Sequence, residues 1–203
     1  MSDGPKTPAF VVLAASYLAG SVPFSGLAAR WVAGVDLRSH GSGTVSGTGL
    51  FEVAGFAPLA VAGSGDVLKG AVGPAMATSS RPYLAAAAGG LGVIGHNWSP
   101  WLGGAGGRGI SPALGALGAQ APEGAAILLG GLTAGRLLRH SALGTLVALA
   151  VLAAVLARRR GLPGLATALW IAGPMVAKRI SGNRAPANLA AVASRVLFDR
   201  DPG

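Results

Sequence analysis

A loop of small polar residues between Gly34 and Gly55 carries the first candidate chemistry of the sequence. His40, Ser42 and Thr44 stand among glycines there, followed by Ser46 and Thr48. Glycines permit positive φ angles and let backbone N–H groups converge, while hydroxyls donate to phosphate oxygens. The composition therefore suits an anion-binding loop, and the alternative is a flexible polar connection between two helices.

A second glycine-rich stretch, residues 95–109, contains His96, Asn97 and Arg108. Its Gly104-x-Gly106-x-x-Gly109 spacing matches a dinucleotide fingerprint, but no strand or βαβ unit surrounds it, so we reject that interpretation. A glycine-rich approach to a helix start with one arginine inside it can hold an anion. His96 lies near the end of an apolar segment, where it is either a site residue or an interfacial histidine bonded to a neighbouring helix.

Asp66 and Lys69 are three residues apart on one face of an otherwise apolar helix. A lone carboxylate near the bilayer centre costs about 2.5 to 3.5 kcal/mol on insertion scales, so a cation or a polar cavity must compensate it. The pair is either part of a functional site or a structural ion pair.

Several kinds of chemistry are excluded by composition. The chain has no cysteine, which removes disulfides, thiolate nucleophiles and cysteine-ligated zinc. Three histidines without carboxylates at ligand spacing predict no metal site, and we expect no cofactor. Val45, Trp101 and Thr145 stand five residues after the three histidines, so the His-x4-Asp mechanism of soluble acyltransferases is excluded.

These residues must be positioned by membrane helices. Hydrophobic residues make up 51% of the 203, charged residues 11%, and the mean hydropathy is +0.56. We expect an all-α, polytopic membrane helix bundle forming a single domain over residues 1–203. Apolar stretches predict about seven transmembrane helices at 9–30, 53–77, 82–102, 109–120, 122–138, 141–157 and 163–179.

The distribution of basic residues predicts the orientation. An N-terminus outside gives the inner side ten Lys and Arg residues against five on the outer side, which favours an outer N-terminus and an inner C-terminus. The net charge of +9 is explained by these flanking residues and by anionic lipid, so we expect no nucleic acid partner.

The order of four motifs resembles one family. The motifs are Tyr17-Leu-Ala-Gly-Ser-Val-Pro-Phe24, Val35-Asp-Leu-Arg-Ser-His-Gly-Ser-Gly43, Gly65-Asp-Val-Leu-Lys-Gly70 and Gly95-His-Asn-Trp98 before a basic glycine-rich loop. Over about residues 10–145 the chain is similar to the PlsY-type glycerol-3-phosphate acyltransferases of bacterial phospholipid synthesis. The resemblance implies a seven-helix enzyme of the bacterial inner membrane.

The implied reaction moves an acyl chain from acyl phosphate to the sn-1 hydroxyl of glycerol 3-phosphate, giving lysophosphatidic acid, without an obligate protein partner. Carried over by position, the resemblance implies Ser42, His96 and Arg108 as catalytic residues. It implies the following substrate-binding residues: Arg38, Gly41, Gly43, Thr44, Asp66, Lys69, Asn97, Gly106, Gly107, Ser141 and Asn188.

Some positions depart from the family pattern. Thr44 and Gly49 replace asparagines, Glu52 replaces a phosphate-binding arginine, and Ala105 replaces a lysine. Near the C-terminus, Ala185 and Pro186 replace a His-Arg pair. Two hypotheses follow: an active acyltransferase in which Arg108, Arg38 or Arg184 compensates, or a catalytically degraded paralogue that binds lipid or regulates a partner.

Overall fold

A computed structural model describes residues 7–77, 79–183, 186 and 188–198 of the chain. All regular structure in these ranges is helical, as the sequence predicts, with short 3₁₀ turns at Leu37–Ser39 and Pro100–Leu102. The helices are α1 (Ala9–Ser21), α2 (Phe24–Ala33), α3 (Gly47–Ala54), α4 (Phe56–Ala77), α5 (Pro82–Asn97), α6 (Ile110–Gln120), α7 (Pro122–Leu137), α8 (Ser141–Ser181) and α9 (Leu189–Phe198).

The predicted first span, 9–30, is two helices rather than one. Helix α1 ends at Ser21, and Val22 is extended with φ −63° and ψ 119°. Proline disfavours the helical conformation in the residue before it, so Pro23 accounts for the break. The break leaves the carbonyl oxygen of Val22 available to a side chain, and Lys69 donates to it.

The other predicted boundaries shift less. Helix α4 begins at Phe56, because Gly55 ends α3 with a φ of +81°, so the span predicted from residue 53 starts later. Helix α5 ends at Asn97 instead of residue 102, since the chain then turns through the 3₁₀ segment at Pro100–Leu102. Helices α6 and α7 lie where the sequence predicts them.

The two spans predicted at 141–157 and 163–179 lie within α8, which breaks at Gly161 with φ +62° and ψ −144°. A Cβ on Gly164 would lie 2.1 Å from the carbonyl oxygen of Leu156, and this close approach shows that the chain folds back there. Thr145 and Arg179, at opposite ends of α8 in sequence, line one cavity. The halves 141–160 and 162–181 are thus antiparallel, and at 1.5 Å per residue each is about 30 Å long.

Glycines allow the helices to approach closely. A Cβ on Gly20 of α1 would lie 2.2 Å from the carbonyl oxygen of Gly92 in α5, and one on Gly70 of α4 would lie 2.0 Å from that of Pro112 in α6. Small residues at such crossings let membrane helices gain van der Waals contact. A buried apolar cluster spans α6, α7 and α8 and contains Leu117, Leu128, Leu152, Leu156 and Ile171.

Large apolar side chains point outward from most of the long helices. Phe10, Leu68, Tyr83, Leu129, Val147 and Leu169 are examples from α1, α4, α5, α7 and both halves of α8. Among the described residues, Ala9–Ala33 and Ser141–Ser181 are long and apolar enough to cross a membrane by length and composition. An apolar exterior of this kind is typical of a bundle whose surroundings are lipid.

The bundle has two opposite faces. On one, Arg81 donates to the carbonyl oxygen of Thr7 at 2.6 Å, and Arg160 pairs with Glu123 at 2.7 Å. On the other, which we call the loop face, lie residues 34–55, residues 95–109 and helix α9. Seven segments run between the faces, namely α1, α4, α5, α6, α7 and both halves of α8, so the described chain begins and ends on opposite faces. Helix α6, with 11 residues, is the shortest of them.

Candidate active site

The two glycine-rich loops lie side by side on the loop face and share one side chain, that of Asn183. Its Nδ2 donates to the carbonyl oxygens of Gly43 (2.8 Å) and Gly106 (2.9 Å), and its Oδ1 accepts from the Gly106 N–H at 3.1 Å. Val45 N also donates to Gly106 O at 3.1 Å. Gly41 and Gly43 have φ angles of +53° and +69°, which few other residues adopt readily. These contacts fix the first loop against the second.

An ion-pair cluster holds the start of the first loop. Asp36 accepts from Arg38 Nη2 at 2.7 Å and from Arg30 Nη2 at 2.6 Å. The hydrogen bonds from Arg38 hold the pKa of the Asp36 carboxyl well below its usual range, with Arg30 contributing. Arg38 also donates to the Leu102 carbonyl oxygen at 3.4 Å. In the structure Arg38 therefore supports the loop from its exposed side.

A cavity of about 870 Å³ opens between these loops and helices α6, α7 and α8. Its polar lining includes loop residues with hydroxyl groups and the side chains of His96, Arg108 and Arg179. The same lining includes the apolar side chains of Phe51, Leu59, Ile110, Leu132 and Leu137. A molecule with an anionic head and an apolar tail matches such a cavity.

Beneath the loops, Asp66 and Lys69 form a buried ion pair. Lys69 Nζ lies 2.6 Å from Asp66 Oδ1 and donates to the Val22 carbonyl oxygen at 2.5 Å. The hydroxyl of Ser25 donates to Asp66 Oδ2 at 2.5 Å, and the Ser25 N–H donates to the same oxygen at 3.3 Å. Both charges are thus paired and hydrogen-bonded, which a buried pair requires.

His96 lies between this ion pair and the large cavity. Its Nδ1 is 3.9 Å from Asp66 Oδ1, and its side chain lines both the large cavity and a small one beside Asp66. A Cβ on Gly107 would lie 2.0 Å from His96 Nε2, so glycine is required for the loop to cross the imidazole. The ring is therefore held in place at the cavity wall.

The structure brings most of the predicted site residues together. Gly41, Ser42, Thr44, His96, Arg108 and Ser141 line the large cavity. Asp66, Lys69, Gly106 and Gly107 line the small cavity next to His96. Their roles remain predictions, because geometry alone assigns no substrate to them.

Two predicted substrate-binding asparagines lie elsewhere. Asn97 is buried and its Nδ2 donates to the Pro174 carbonyl oxygen at 2.9 Å, so it joins α5 to α8. Asn188 caps α9 by accepting from the Ala191 N–H at 2.9 Å. With Arg38, these residues are absent from the described lining of the cavities, and binding by them is still a prediction.

Sequence reasoning missed four residues on the loop face, namely Asn183, Lys178, Arg179 and Arg195. In the sequence, the three basic residues serve only as signals of membrane orientation. Lys178 and Arg179 directly follow an uncharged helix, and this position is the sequence signal that could have indicated them. In the structure both side chains are buried, as is that of Arg195. Asn183 carries no recognisable sequence signal.

The departures from the family pattern have mixed outcomes. Glu52 lies in α3 and lines the large cavity, so it does not point away from it. Ala105 packs against an apolar cluster that includes Leu37 and Leu50. Arg184 and Ala185 lie outside the described residues. No group of three His, Asp or Glu able to hold a metal occurs in the part of the chain that the structure describes.

Comparison with known proteins gives a consistent result. A family model described as glycerol-3-phosphate acyltransferase matches residues 10–185. A glycerol-3-phosphate acyltransferase of Halalkalibacterium halodurans is 36% identical over 163 residues, covering 76% of this chain and 79% of the relative. One of Myxococcus xanthus is 40% identical over 122 residues, covering 59% of this chain and 62% of the relative.

The fold agrees with these matches. The crystal structure of PlsY (YgiH), an integral membrane glycerol 3-phosphate acyltransferase in its glycerol 3-phosphate form, superposes with a TM-score of 0.76. It is 27% identical and covers 84% of this chain and 88% of PlsY. The motif resemblance and the predicted helical membrane bundle are therefore confirmed: this chain belongs to the PlsY-type glycerol-3-phosphate acyltransferase family.

Proposed function

We propose that this chain transfers an acyl chain from acyl phosphate to the sn-1 hydroxyl of glycerol 3-phosphate, forming lysophosphatidic acid and phosphate. Family membership supports the acceptor and the product. The observation that carries the proposal is the cavity of about 870 Å³, whose lining combines hydroxyl and guanidinium donors with apolar side chains. Acyl phosphate has the matching shape, because its charged group and its hydrocarbon tail need opposite surroundings.

The donors of the cavity suit two anionic substrates. Arg108 and the hydroxyls of Ser42 and Thr44 can hold phosphate oxygens, with backbone N–H groups of the glycine-rich loops beside them. The apolar side chains of the lining would accept the acyl chain, and each buried methylene contributes about 0.8 kcal/mol of binding free energy. Binding would bring the acceptor hydroxyl next to the acyl carbonyl carbon.

The chemistry needs little from the protein beyond position and charge. The sn-1 oxygen attacks the acyl carbonyl carbon, and the bond between that carbon and the phosphate oxygen breaks. The leaving phosphate can take the hydroxyl proton, so a protein base is not required. His96, held by Gly107 at the cavity wall, can hydrogen-bond the reacting oxygen, and Arg108 can offset charge on the leaving group.

A second candidate, a degraded paralogue that binds lipid, is favoured by Glu52. A carboxylate in the cavity wall opposes a bound phosphate, and about 4 Å of separation costs roughly 4 kcal/mol per unit charge at an effective dielectric near 20. Glu52 is exposed, however, so water screens it toward about 1 kcal/mol. We therefore favour an active enzyme whose affinity for phosphate is reduced.

We further propose that the protein lies in the inner membrane of a bacterial cell with the N-terminus outside and the loop face toward the cytoplasm. The support is the excess of basic residues on the loop face, since cytoplasmic ends of membrane helices are rich in Lys and Arg. This orientation would open the cavity to glycerol 3-phosphate from the cytoplasm.

A comparison of donors tests the choice of acyl phosphate. The purified protein would be incubated with glycerol 3-phosphate and, in parallel, palmitoyl phosphate, palmitoyl coenzyme A or palmitoyl acyl carrier protein. We expect lysophosphatidic acid with palmitoyl phosphate alone, with one phosphate released per product. Equal or faster product formation from a thioester donor would overturn the proposal for the donor.

A further inference from the structure

Four basic side chains from three elements, which we call the basic cluster, surround a small cavity of about 10 Å³ on the loop face, which has room for about one water molecule. Arg108 comes from the second glycine-rich loop, Lys178 and Arg179 from the end of α8, and Arg195 from α9. Lys178, Arg179 and Arg195 are only 3%, 6% and 5% exposed. The rest of the described lining is Thr44, Gly107, Gly182 and Asn183, so that lining contains no carboxylate.

Packing fixes these charges in place. The Nζ of Lys178 lies 5.2 Å from the centroid of the Trp98 ring, within cation–π distance. Arg195 Nη1 donates to the Ser181 carbonyl oxygen at 3.1 Å, which docks α9 onto the end of α8. Asn183 connects the same end of α8 to both glycine-rich loops. The cluster is thus built into the fold.

The basic cluster adjoins the substrate cavity, because Thr44, Arg108 and Arg179 line both. Clustered cations produce a strongly positive local potential, and guanidinium groups match phosphate oxygens with two parallel hydrogen bonds. Family position implies Arg108 but not Lys178, Arg179 or Arg195, and Glu52 and Ala105 stand at two positions where the family has basic residues.

We propose that the basic cluster binds the phosphate group of a phosphomonoester at its border with the large cavity, where Arg108 and Arg179 contact the phosphate while Lys178 and Arg195 add positive charge behind them. They supply from α8 and α9 the positive charge that Glu52 and Ala105 do not provide. This inference rests on the proposed function for the identity of the ligand. The phosphate belongs either to the acceptor, glycerol 3-phosphate, or to the acyl phosphate donor, and kinetics separate these two sources.

The test uses the full chain in lipid nanodiscs and the variants Lys178→Gln and Arg179→Gln. Arg158→Gln is the matched control, because Arg158 is exposed beside the Gly161 turn on the opposite face. Binding of radiolabelled inorganic phosphate is measured by equilibrium dialysis, and KM is measured for each substrate. We expect each cluster variant to raise the Kd for phosphate at least tenfold, with the control within twofold of the parent.

The substrate whose KM rises at least tenfold identifies the source of the phosphate. A Kd for phosphate and both KM values within twofold of the parent, in both cluster variants, would overturn the proposal. If the parent transfers no acyl chain, the proposed function fails, while the dialysis result still decides whether the cluster binds phosphate. Should the glutamine variants not fold, Arg179→Lys keeps the charge without the bidentate geometry, and an unchanged Kd for phosphate would count against the proposal.

Discussion

Charge balance at single positions decides whether the cavity can hold two phosphates. Glu52 is the acidic side chain that the structure describes in the wall of the large cavity, while Arg108, Arg136 and Arg179 are basic members of the same wall. The family pattern places an arginine at position 52, so this chain has reversed one charge there. The balance is still positive, which is the physical basis for expecting activity.

Neutralising Glu52 should strengthen acceptor binding. Glu52→Gln removes the repulsion between the carboxylate and a bound phosphate, which is about 1 kcal/mol when water screens the two charges. We therefore expect a KM for glycerol 3-phosphate that is about fivefold lower. Steady-state kinetics with glycerol 3-phosphate varied would measure it, and Thr48→Ser, a conservative change in the same helix, is the control. A higher KM in Glu52→Gln would show that the carboxylate helps binding.

The Asp66–Lys69 pair should behave as one unit. Asp66→Asn leaves the buried charge of Lys69 uncompensated, and breaking a buried pair in this way costs about 3 to 5 kcal/mol. The double variant Asp66→Asn/Lys69→Met removes both charges and should lose less stability. Thermal unfolding in detergent compares them, and equal losses in the single and double variants would contradict the account of the pair.

The site residues that can be predicted from the sequence are those that lie in short motifs. Ser42, His96 and Arg108 were found because each lies in a glycine-rich stretch whose composition suits anions. Lys178 and Arg195 could not be assigned to the site, because they are distant in sequence from both loops. At a helix end, a basic residue that faces inward has the same sequence signature as one that faces lipid headgroups.

At the scale of elements, Asn183 joins the two glycine-rich loops, which supply polar residues to the lining of the large cavity. The Asn183 amide donates two hydrogen bonds and accepts a third, and these connect the end of α8 to residues 43 and 106. Each such bond contributes about 1 kcal/mol of stability. Because the loops carry the proposed phosphate donors, loosening them should weaken binding of both substrates.

Asn183→Ala should therefore raise the KM of both substrates by about tenfold and cost about 3 kcal/mol of stability, about 1 kcal/mol for each hydrogen bond lost. Asn188→Ala is the comparison, because Asn188 caps α9 and its loss should cost about 1 kcal/mol of stability. Kinetics and thermal unfolding are measured for both. A larger KM effect in Asn188→Ala would instead support the substrate-binding role that family position gives Asn188.

The existence of the helices was predictable from apolar length, and their breaks were not. Pro23 lies within an uncharged stretch that is long enough to span, so length outweighed the local preference of Val22 for extended backbone. Gly161 is one of 34 glycines in the chain, and its left-handed φ allows a sharper turn than the five-residue connection that we expected. The consequence is that each half of α8 is longer than the span predicted for it.

For the whole molecule, orientation follows from the separation of the two faces. The absence of cysteine makes the chain suitable for single-cysteine labelling without background. In intact cells, Arg159→Cys should react with a membrane-impermeant maleimide, whereas Thr48→Cys should react only after the cells are opened. The reverse pattern would invert the topology and place the cavity outside.

Formation of lysophosphatidic acid by the purified protein, from glycerol 3-phosphate and palmitoyl phosphate, tests the central claim most directly. The account predicts product from the parent protein and a loss of at least tenfold in kcat/KM for Arg108→Ala, with Arg158→Ala close to the parent. No product above a protein-free control, while a related family member is active in the same assay, would contradict it.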